Sequence, residues 1–303
     1  MQPWVCYWNG WFVPEDEVRI SPGDRGFVLG DAAYEVTRTY RHIPFHLDWH
    51  LDRLFATLGY LRLDPGLSRE RLEALTLEVL ERNRAHLGPD DDVTLTHRIT
   101  RGPSGSPFGG PPPGPPTVLV TCRMVQFEAF ARLYDEGIEL QTPGVRLPAA
   151  GGPDPRAKTQ SRLLFALGEV EVKRPDRVVL PLFLDTNGHV TETAYTNVFF
   201  VAGGQLVVPP DDVALEGITR RVVIALAAAQ GLDVVRRPVT LADTEACEEA
   251  FVTSTSPGIL PACRLNGRAL APVPGPFTHR LIAAFSAHVG MDVVGQGRAH
   301  ARR

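Results

Sequence analysis

Lysine is scarce in this chain. Only two of its 31 basic residues, Lys158 and Lys173, are lysines, and the others are arginines. Arginine stays protonated in proteins, whereas a lysine amine can lose its proton and attack a carbonyl carbon. A lysine that is kept in such a sequence is therefore a candidate for chemistry that arginine cannot perform. For Lys173, at a predicted helix end, chance retention at a solvated site is the simpler interpretation.

Cysteine, net charge and long apolar runs are scarce too. The four cysteines are widely spaced and form no C-x-x-C pair, which disfavours a disulfide framework or a zinc site and predicts buried free thiols. The formal net charge is −4, so no basic field indicates a nucleic acid partner. No apolar run could span a bilayer, and no signal-peptide pattern is evident at the N-terminus. We therefore expect a cytoplasmic protein that binds neither a membrane nor a metal.

The length of 303 residues suits two domains. The first half mixes strands with two amphipathic helices, and the second half resembles a barrel-like sheet flanked by helices. We predict an α+β chain with a small N-terminal domain at residues 1–125, an interdomain segment at 126–134 and a larger domain at 135–295. The proline- and glycine-rich residues 102–116 lie between two strands that are predicted neighbours, which favours a long loop over a linker.

Periodicity and turn signals predict the individual elements. An Asn9-Gly10 turn predicts a hairpin, and Asp48 is a predicted helix N-cap. Strands are expected at residues 34–40, 45–47, 93–100, 117–123, 137–142, 177–185, 197–201, 205–208, 233–239 and 250–253, and helices at 48–61, 68–87, 159–173, 218–230 and 276–289.

Two segments of the second half are candidate anion sites. In residues 216–220 (EGITR), a glycine directly precedes an apolar-periodic helix whose first amides lack intrahelical partners. Such amides suit a phosphate, with the Thr219 hydroxyl as an added donor, although a plain helix cap explains the pattern equally well. Residues 253–258 (TSTSPG) form a second cluster of donors at a strand end, for which an ordinary turn is the alternative.

Glu192 lies between a predicted turn and an apolar strand. A buried carboxylate at this position needs a cationic partner, and a protonated pyridine nitrogen is one such partner. A solvated hairpin glutamate is the alternative, and spacing alone favours it.

Five segments together resemble class IV (fold-type IV) pyridoxal-5′-phosphate (PLP) aminotransferases. The segments occur in the family's order and spacing between about Tyr7 and Gly267, and they read DRGFVLGDAAYEVTRTYRHIPFHLDWHLDRL, KTQSRL, DTNGHVTETAYTNVFFV, LEGITRRVV and FVTSTSPGILP. The family includes branched-chain aminotransferases, D-amino acid aminotransferases and aminodeoxychorismate lyases. The resemblance implies a two-domain fold with a small N-terminal α/β sandwich domain and a C-terminal pseudo-barrel domain.

The resemblance also implies roles for individual residues. Lys158 would be the Schiff-base lysine and proton carrier, and Glu192 would pair with the pyridine nitrogen. Arg53 would bind the phosphate from the N-terminal domain. The other implied cofactor-binding residues are Asn197, Ile218, Thr219, Ser254 and Thr255. The family forms homodimers, so the resemblance further implies a homodimer in which residues 102–116 act as a lid.

The predicted substrate-side residues match no single branch of the family. Leu163 stands where branched-chain enzymes carry a tyrosine, and Tyr34 stands where the D-amino acid branch has its carboxylate-binding tyrosine. Arg98 and Arg38 match substrate-side arginines of branched-chain enzymes. Strand alternation places Tyr34 and Arg38 on one face. Structural ion pairs are the alternative for both arginines, and for Arg101 they are the preferred interpretation.

The sequence thus leaves three functions open. The first is transamination between an amino acid and a 2-oxo acid such as 2-oxoglutarate, with branched-chain or other hydrophobic amino acids expected first and D-amino acids second. The second is aminodeoxychorismate lyase activity, which yields pyruvate and 4-aminobenzoate. The third is a non-catalytic PLP-binding protein, which an intact Lys158 and Glu192 disfavour.

Overall fold

The chain is described from a computed structural model, which covers residues 3–105, 114–149 and 151–302. It divides into two compact units. The first unit comprises Met1–Val125 together with Ala157–Arg162, and the second comprises Gln126–Arg156 together with Leu163–Arg303. In the described ranges no helix is long and apolar enough to cross a membrane. Most of the predicted loop at residues 102–116, from 106 to 113, lies outside the described residues.

Strands and helices alternate irregularly along the chain, as the α+β expectation requires. The strands are β1 Val5–Trp8, β2 Trp11–Pro14, β3 Ala32–Tyr40, β4 Ile43–Pro44, β5 Val93–Thr100, β6 Thr117–Met124, β7 Ile138–Gln141, β8 Arg146–Leu147, β9 Val179–Pro181, β10 Leu184–Asp185, β11 Asn197–Ala202, β12 Gln205–Val208, β13 Asp233–Arg236, β14 Glu249–Ser254, β15 Gly258–Leu265 and β16 Arg268–Ala269. The helices are α1 Arg25–Leu29, α2 Leu47–Leu61, α3 Arg69–Arg82, α4 Leu133–Glu136, α5 Leu163–Val172, α6 Ile218–Ala229, α7 Leu241–Glu245, α8 Pro276–Val289 and α9 Val293–His300.

The first unit is built on an antiparallel sheet in the order β2-β1-β6-β5-β3-β4. The predicted hairpin and the predicted pairing of β5 with β6 are both confirmed. Helices α2 and α3 supply apolar stripes that pack into one core with residues of β5 and β6. The buried stripe residues are Leu51, Leu54, Leu58, Leu72, Leu75 and Val79. Burying such side chains is the main favourable contribution to folding.

The start of α2 differs from its prediction. The helix begins at Leu47 with His46 as its N-cap at φ 49°, so Asp48 lies in the first turn and is not the cap. The predicted strand at residues 45–47 is wrong, because β4 contains only Ile43 and Pro44. Arg41 and His42 both have positive φ and close a tight β3–β4 turn, so the second strand forms earlier than predicted, and residues 45–46 form a turn before α2.

Helix α3 ends earlier than its periodicity predicts. Ser68 caps the helix and accepts from the Arg71 amide at 3.2 Å, but the helix ends at Arg82 rather than before Gly88. The Asn83 side chain bonds the amide and the carbonyl of Val5, at 2.9 and 2.7 Å. This anchor to β1 holds the chain where it leaves the helix, and periodicity along α3 alone does not reveal it.

Residues 159–162 form no helix, although the prediction began one at Thr159. Thr159 forms a bridge with Ala33, and the Gln160 amide donates to the Ala32 carbonyl at 2.8 Å. The segment is therefore extended beside the start of β3, and α5 begins only at Leu163. A tertiary pairing of this kind overrides local helix propensity. It also places Ala157–Arg162 in the first unit, whereas the predicted boundaries put them in the second domain.

The second unit contains a mixed sheet in the order β13-β12-β11-β14-β15-β7-β9. Strands β11 and β14 are buried along almost their whole length, and Phe199 stacks on its cross-strand partner Phe251 at 4.7 Å. Helix α8 has the predicted bounds. The predicted strand at residues 177–185 is split into β9 and β10, and α9 extends past the predicted domain end at residue 295.

Candidate active site

Lys158 is held by its backbone between α2 and β3. Its amide donates to the Thr57 hydroxyl at 3.1 Å, and its carbonyl accepts from the Tyr34 amide at 3.1 Å. The Thr57 hydroxyl in turn donates to the Arg53 carbonyl one helical turn earlier, at 3.0 Å. The Lys158 Nζ lies 4.5 Å from the centre of the Tyr34 ring, a cation–π distance. The amine therefore projects from a backbone that is fixed within the first unit.

A buried ionic cluster lies in the same unit. The Glu35 carboxylate is fully buried, and both of its oxygens bind the Arg53 guanidinium, Oε2 to Nε at 2.9 Å and Oε1 to Nη2 at 2.7 Å. His50 Nδ1 lies 3.0 Å from Glu35 Oε1. Two-point binding of this kind fixes the plane of a guanidinium as well as its position.

Ionisation within the cluster follows from burial and charge. Burial alone would raise the pKa of Glu35, but the Arg53 charge and the bond from His50 outweigh it and hold that pKa well below its usual range. For His50, burial lowers the pKa, and this outweighs the opposing effect of Glu35. The charges of Arg53 and Lys158 lower the His50 pKa further. We conclude that Glu35 is ionised and His50 neutral at neutral pH, so Arg53 alone matches the Glu35 charge.

His97 lies behind this cluster, directly across the β3–β5 ladder from Glu35. Its Nε2 is 2.8 Å from the Thr76 hydroxyl, and that hydroxyl donates to the Leu72 carbonyl at 2.6 Å. The Thr76 proton is thus already committed, so His97 Nε2 must be the donor and Nδ1 carries the lone pair. The Nδ1 atom is buried and has no partner among the described residues. Burial lowers the pKa of His97 to about 4.

Acid is expected to destabilise the protein through His97. The unfolded chain takes up a proton near pH 6.5 but the folded chain only near pH 4, so folded-state stability is lost as the pH falls across this window. The loss amounts to about 3 kcal/mol. The substitution His97→Gln should flatten this part of the pH profile of urea unfolding. An unaltered slope in His97→Gln would argue against this assignment.

The predicted substrate-side residues lie on the opposite face of the same sheet. Tyr34 stands directly across from Arg98 in the β3–β5 register, and Arg38 lies four residues further along β3. The Arg98 side chain is exposed, and its guanidinium makes no hydrogen bond or ion pair with any residue in the described ranges. Arg38 is buried, with its guanidinium carbon 4.4 Å from the centre of the Tyr40 ring. Arg98 is therefore the more accessible cation for a carboxylate.

Arg101 has a structural environment. Its guanidinium binds the Asp31 carboxylate through Nε at 2.8 Å and Nη2 at 3.1 Å, and it also donates to the carbonyls of Leu61 and Arg62. Arg25 shares the same carboxylate at 2.8 Å. These contacts agree with the expectation that Arg101 is a structural ion-pair residue.

Glu192 and Asn197 meet the same loop in the second unit. Glu192 Oε2 accepts from the Leu215 amide at 3.3 Å, and Asn197 Nδ2 donates to the Leu215 carbonyl at 2.8 Å. Asn197 is buried, and a Cβ on Gly217 would lie 2.0 Å from its Oδ1. The absence of a side chain at position 217 therefore lets the loop approach β11 closely just before α6 begins.

Helix α6 begins at Ile218 without a side-chain cap. The Thr219 hydroxyl donates to the Ser254 carbonyl at 3.2 Å, and the Ser254 hydroxyl donates to the Tyr195 carbonyl at 3.2 Å. The two candidate anion-binding segments, residues 216–220 and 253–258, thus meet in the second unit through the bond from Thr219 to Ser254.

The substitution Gly217→Ala is expected to lower the free energy of unfolding by about 1–3 kcal/mol, because its Cβ would overlap the Asn197 side chain. Gly59→Ala is a matched control: Gly59 lies inside α2 with no atom near its virtual Cβ, so alanine should be neutral or stabilise by up to about 1 kcal/mol. Equal unfolding free energies for both variants would contradict the packing argument.

Four residues that lie around Arg53 and Lys158 were not predicted from the sequence, namely Glu35, His50, Thr57 and His97. A signal for the first two was present. The alternation of β3 places Glu35 on the face opposite Tyr34, toward the helices, and a buried carboxylate requires a cation. His50 and Arg53, three residues apart on α2, are on one helix face and supply the partners. His97 had no comparable signal, because a histidine within a strand has no preferred burial.

The residues of both units fit PLP. The first unit offers a lysine amine beside an aromatic ring and a guanidinium held by a carboxylate. The second offers a half-buried carboxylate and the uncapped N-terminus of a twelve-residue helix, whose first amides suit an anion. These are the groups that a phosphorylated pyridine aldehyde needs.

Comparisons with known proteins agree. The family model "Amino-transferase class IV" matches residues 32–265. The chain is 32% identical to the "Putative branched-chain-amino-acid aminotransferase" of Methanocaldococcus jannaschii, over 87% of this chain and 88% of that protein. It is 28% identical to the aminodeoxychorismate lyase of Bacillus subtilis, over 86% and 87% of the two chains. It is 29% identical to a D-alanine aminotransferase of Listeria monocytogenes, over 90% and 92%.

The fold has close counterparts among solved structures. The T.th. branched-chain amino acid aminotransferase complexed with N-(5′-phosphopyridoxyl)-L-glutamate superposes with a TM-score of 0.84 at 26% identity, covering 96% of this chain and 95% of that one. The same enzyme has been solved with pyridoxamine 5′-phosphate. The expected fold-type IV architecture is therefore confirmed. The chain belongs to the class IV aminotransferases, a family of PLP-dependent enzymes.

Proposed function

We propose that this protein transfers amino groups between a hydrophobic amino acid, with branched-chain L-amino acids first, and a 2-oxo acid such as 2-oxoglutarate. The observation that carries the proposal is Lys158, one of only two lysines, whose backbone is bonded to both α2 and β3. The relative from Methanocaldococcus jannaschii and the T.th. enzyme support the branched-chain choice.

Each proposed residue has a separate task. When bound, PLP supplies an electron sink for the charge left on the substrate Cα after proton removal. The Lys158 amine would take up that proton from the substrate Cα and deliver it to the C4′ atom of the cofactor. Glu192 pairs with the pyridine nitrogen and keeps it protonated. The proposed phosphate ligand of the first unit is Arg53. Those of the second unit are the first amides of α6 with Thr219, Ser254 and Thr255.

Substrate recognition is assigned to the sheet face that carries Tyr34 and Arg98. A carboxylate needs a cation or aimed donors, and Arg98 is an exposed guanidinium without an ion pair among the described residues. Tyr34, directly across the ladder, adds a phenol. Arg38 supports this face from a buried position against Tyr40.

We also propose a cytoplasmic homodimer. The exposed apolar residues of α5 recur at helical spacing, with Leu163, Leu167 and Val170 exposed by 70%, 48% and 76%. A contiguous apolar stripe of this kind typically marks a contact surface. Sedimentation velocity on the protein and on Leu167→Glu tests the assignment: the wild type should be dimeric and the variant monomeric.

A panel of D- and L-amino acids, each with 2-oxoglutarate, tests the proposed function. Glutamate should form fastest from L-leucine, L-isoleucine or L-valine, and the reaction should run by a ping-pong mechanism. Fastest turnover of D-alanine would instead assign the protein to the D-amino acid branch, to which the Listeria monocytogenes relative belongs. No glutamate from any member of the panel would contradict the proposal.

Aminodeoxychorismate lyase activity is the second candidate, because the Bacillus subtilis lyase is nearly as similar as the transaminase relatives. The two activities differ in their need for an acceptor. Release of pyruvate and 4-aminobenzoate from aminodeoxychorismate without any 2-oxo acid would establish the lyase.

A further inference from the structure

Both oxygens of the Glu35 carboxylate are committed inside the first unit. Oε1 accepts from Arg53 Nη2 at 2.7 Å, from His50 Nδ1 at 3.0 Å and from the Val36 amide at 3.0 Å, while Oε2 accepts from Arg53 Nε at 2.9 Å. No part of this carboxylate is exposed, whereas 11% of the Arg53 side chain is. Glu35 therefore cannot touch a ligand, but Arg53 can.

We infer that Glu35 is a positioning residue that aims the Arg53 guanidinium at the cofactor phosphate. This inference rests on the proposed function, in which Arg53 binds that phosphate. The two parallel bonds hold the Nε and Nη2 edge of the guanidinium, and they thereby set its plane and the direction of its opposite edge. A guanidinium fixed in this way has already lost its rotamer freedom before the phosphate arrives, so binding does not have to supply that ordering.

His50 completes the arrangement without adding a charge. Its Nδ1 proton goes to Glu35, so its Nε2 carries the lone pair, and burial keeps the ring neutral. A protonated His50 would compete with Arg53 for the Glu35 charge. Because it is neutral, the ring holds the carboxylate in place and leaves the ion pair to Arg53.

One face of α2 connects this cluster to the reactive lysine. His50, Arg53 and Thr57 follow each other at spacings of three and four residues, and they contact Glu35, Glu35 and the Lys158 amide respectively. The Arg53 guanidinium and the Lys158 backbone are thus both held by α2. A displacement of Arg53 should change phosphate affinity first and leave the lysine bonds intact.

A double-mutant cycle tests the inference with two probes, PLP and pyridoxal, which lacks the phosphate. The variants are Glu35→Gln, Arg53→Gln and the double variant, and the readout is the dissociation constant of each probe for the apoprotein. Glu35→Gln should weaken PLP binding roughly 10- to 100-fold, the range for losing hydrogen bonds to a charged group, and pyridoxal binding by less than about twofold. In the Arg53→Gln background, Glu35→Gln should weaken PLP binding by less than about a further twofold.

Each other outcome is informative. Equal losses for PLP and pyridoxal, or additive losses in the double variant, would overturn the positioning role, and so would unchanged PLP affinity in Glu35→Gln. Failure of the wild-type protein to prefer PLP over pyridoxal would instead remove the phosphate assignment of Arg53 and with it the proposed function.

Folding is controlled separately. Thermal unfolding of each apoprotein shows whether Glu35→Gln folds. If it does not, Arg53→Lys replaces it, because lysine keeps the charge but cannot make the two-point contact with Glu35. That variant should lose most of the preference for PLP over pyridoxal, and a wild-type preference in Arg53→Lys would overturn the inference.

Discussion

Replacing Lys158 by alanine is expected to abolish turnover, with kcat reduced to background for every substrate pair. The variant lacks the amine that is proposed both to hold the cofactor covalently and to move the proton at the substrate Cα. Its backbone bonds to Thr57 and Tyr34 do not involve the side chain, so the fold should survive. Initial rates with L-leucine and 2-oxoglutarate, and circular dichroism of the variant, measure both points.

The chain offers a matched control for this substitution. Lys173 is its only other lysine and lies just past the end of α5. Lys173→Ala should keep wild-type rates, and Lys158→Arg should be as inactive as Lys158→Ala because arginine keeps the charge but not the nucleophilic amine. Residual turnover in Lys158→Ala above about 1% of wild type would show that Lys158 is not the catalytic lysine.

The second large effect is expected from Glu192→Gln, which should slow kcat roughly 10²–10³-fold, the range for removing one aimed electrostatic partner at a reacting centre. A glutamine cannot keep the pyridine nitrogen protonated, so the ring withdraws electrons less strongly. The side-chain oxygen of the glutamine can still accept from the backbone amide of Leu215, so residues 209–217 should keep their place. Single-turnover rates with an amino acid substrate separate this chemical step from binding.

Glu245 serves as the control for charge removal. It is exposed in the second unit, at the end of α7, and Glu245→Gln should leave the single-turnover rate within about twofold of wild type. If Glu192→Gln were equally fast, the carboxylate would have no role at the pyridine nitrogen. A loss of PLP affinity with an unchanged single-turnover rate would likewise assign Glu192 to binding alone.

Local signals predicted many of the elements. The Asn9-Gly10 hairpin, the β5–β6 pairing and the bounds of α8 follow from turn chemistry and periodicity, which act over a few residues. The family resemblance, the α+β class and the PLP dependence are confirmed as well. The roles of the individual site residues stay predictions.

The features that the sequence did not reveal depend on distant partners. Residues 158–160 are extended because they pair with the start of β3, which lies far earlier in the chain, and that pairing outweighs their helix propensity. Helix α2 begins right after His46, which follows the tight β3–β4 turn and has a positive φ that a periodic pattern does not reveal. Glu35 becomes part of the site only when the face of α2 that carries His50 and Arg53 packs against it. Propensity scales do not contain such contacts.

The most direct measurement is chemical. The PLP-loaded wild-type protein is reduced with borohydride and digested. The phosphopyridoxyl group is then located by peptide mass spectrometry. We predict one modified peptide, with the group on the side chain at position 158. Attachment at position 173, or a protein that carries no covalent group after reduction, would contradict the assignment on which the proposed chemistry depends.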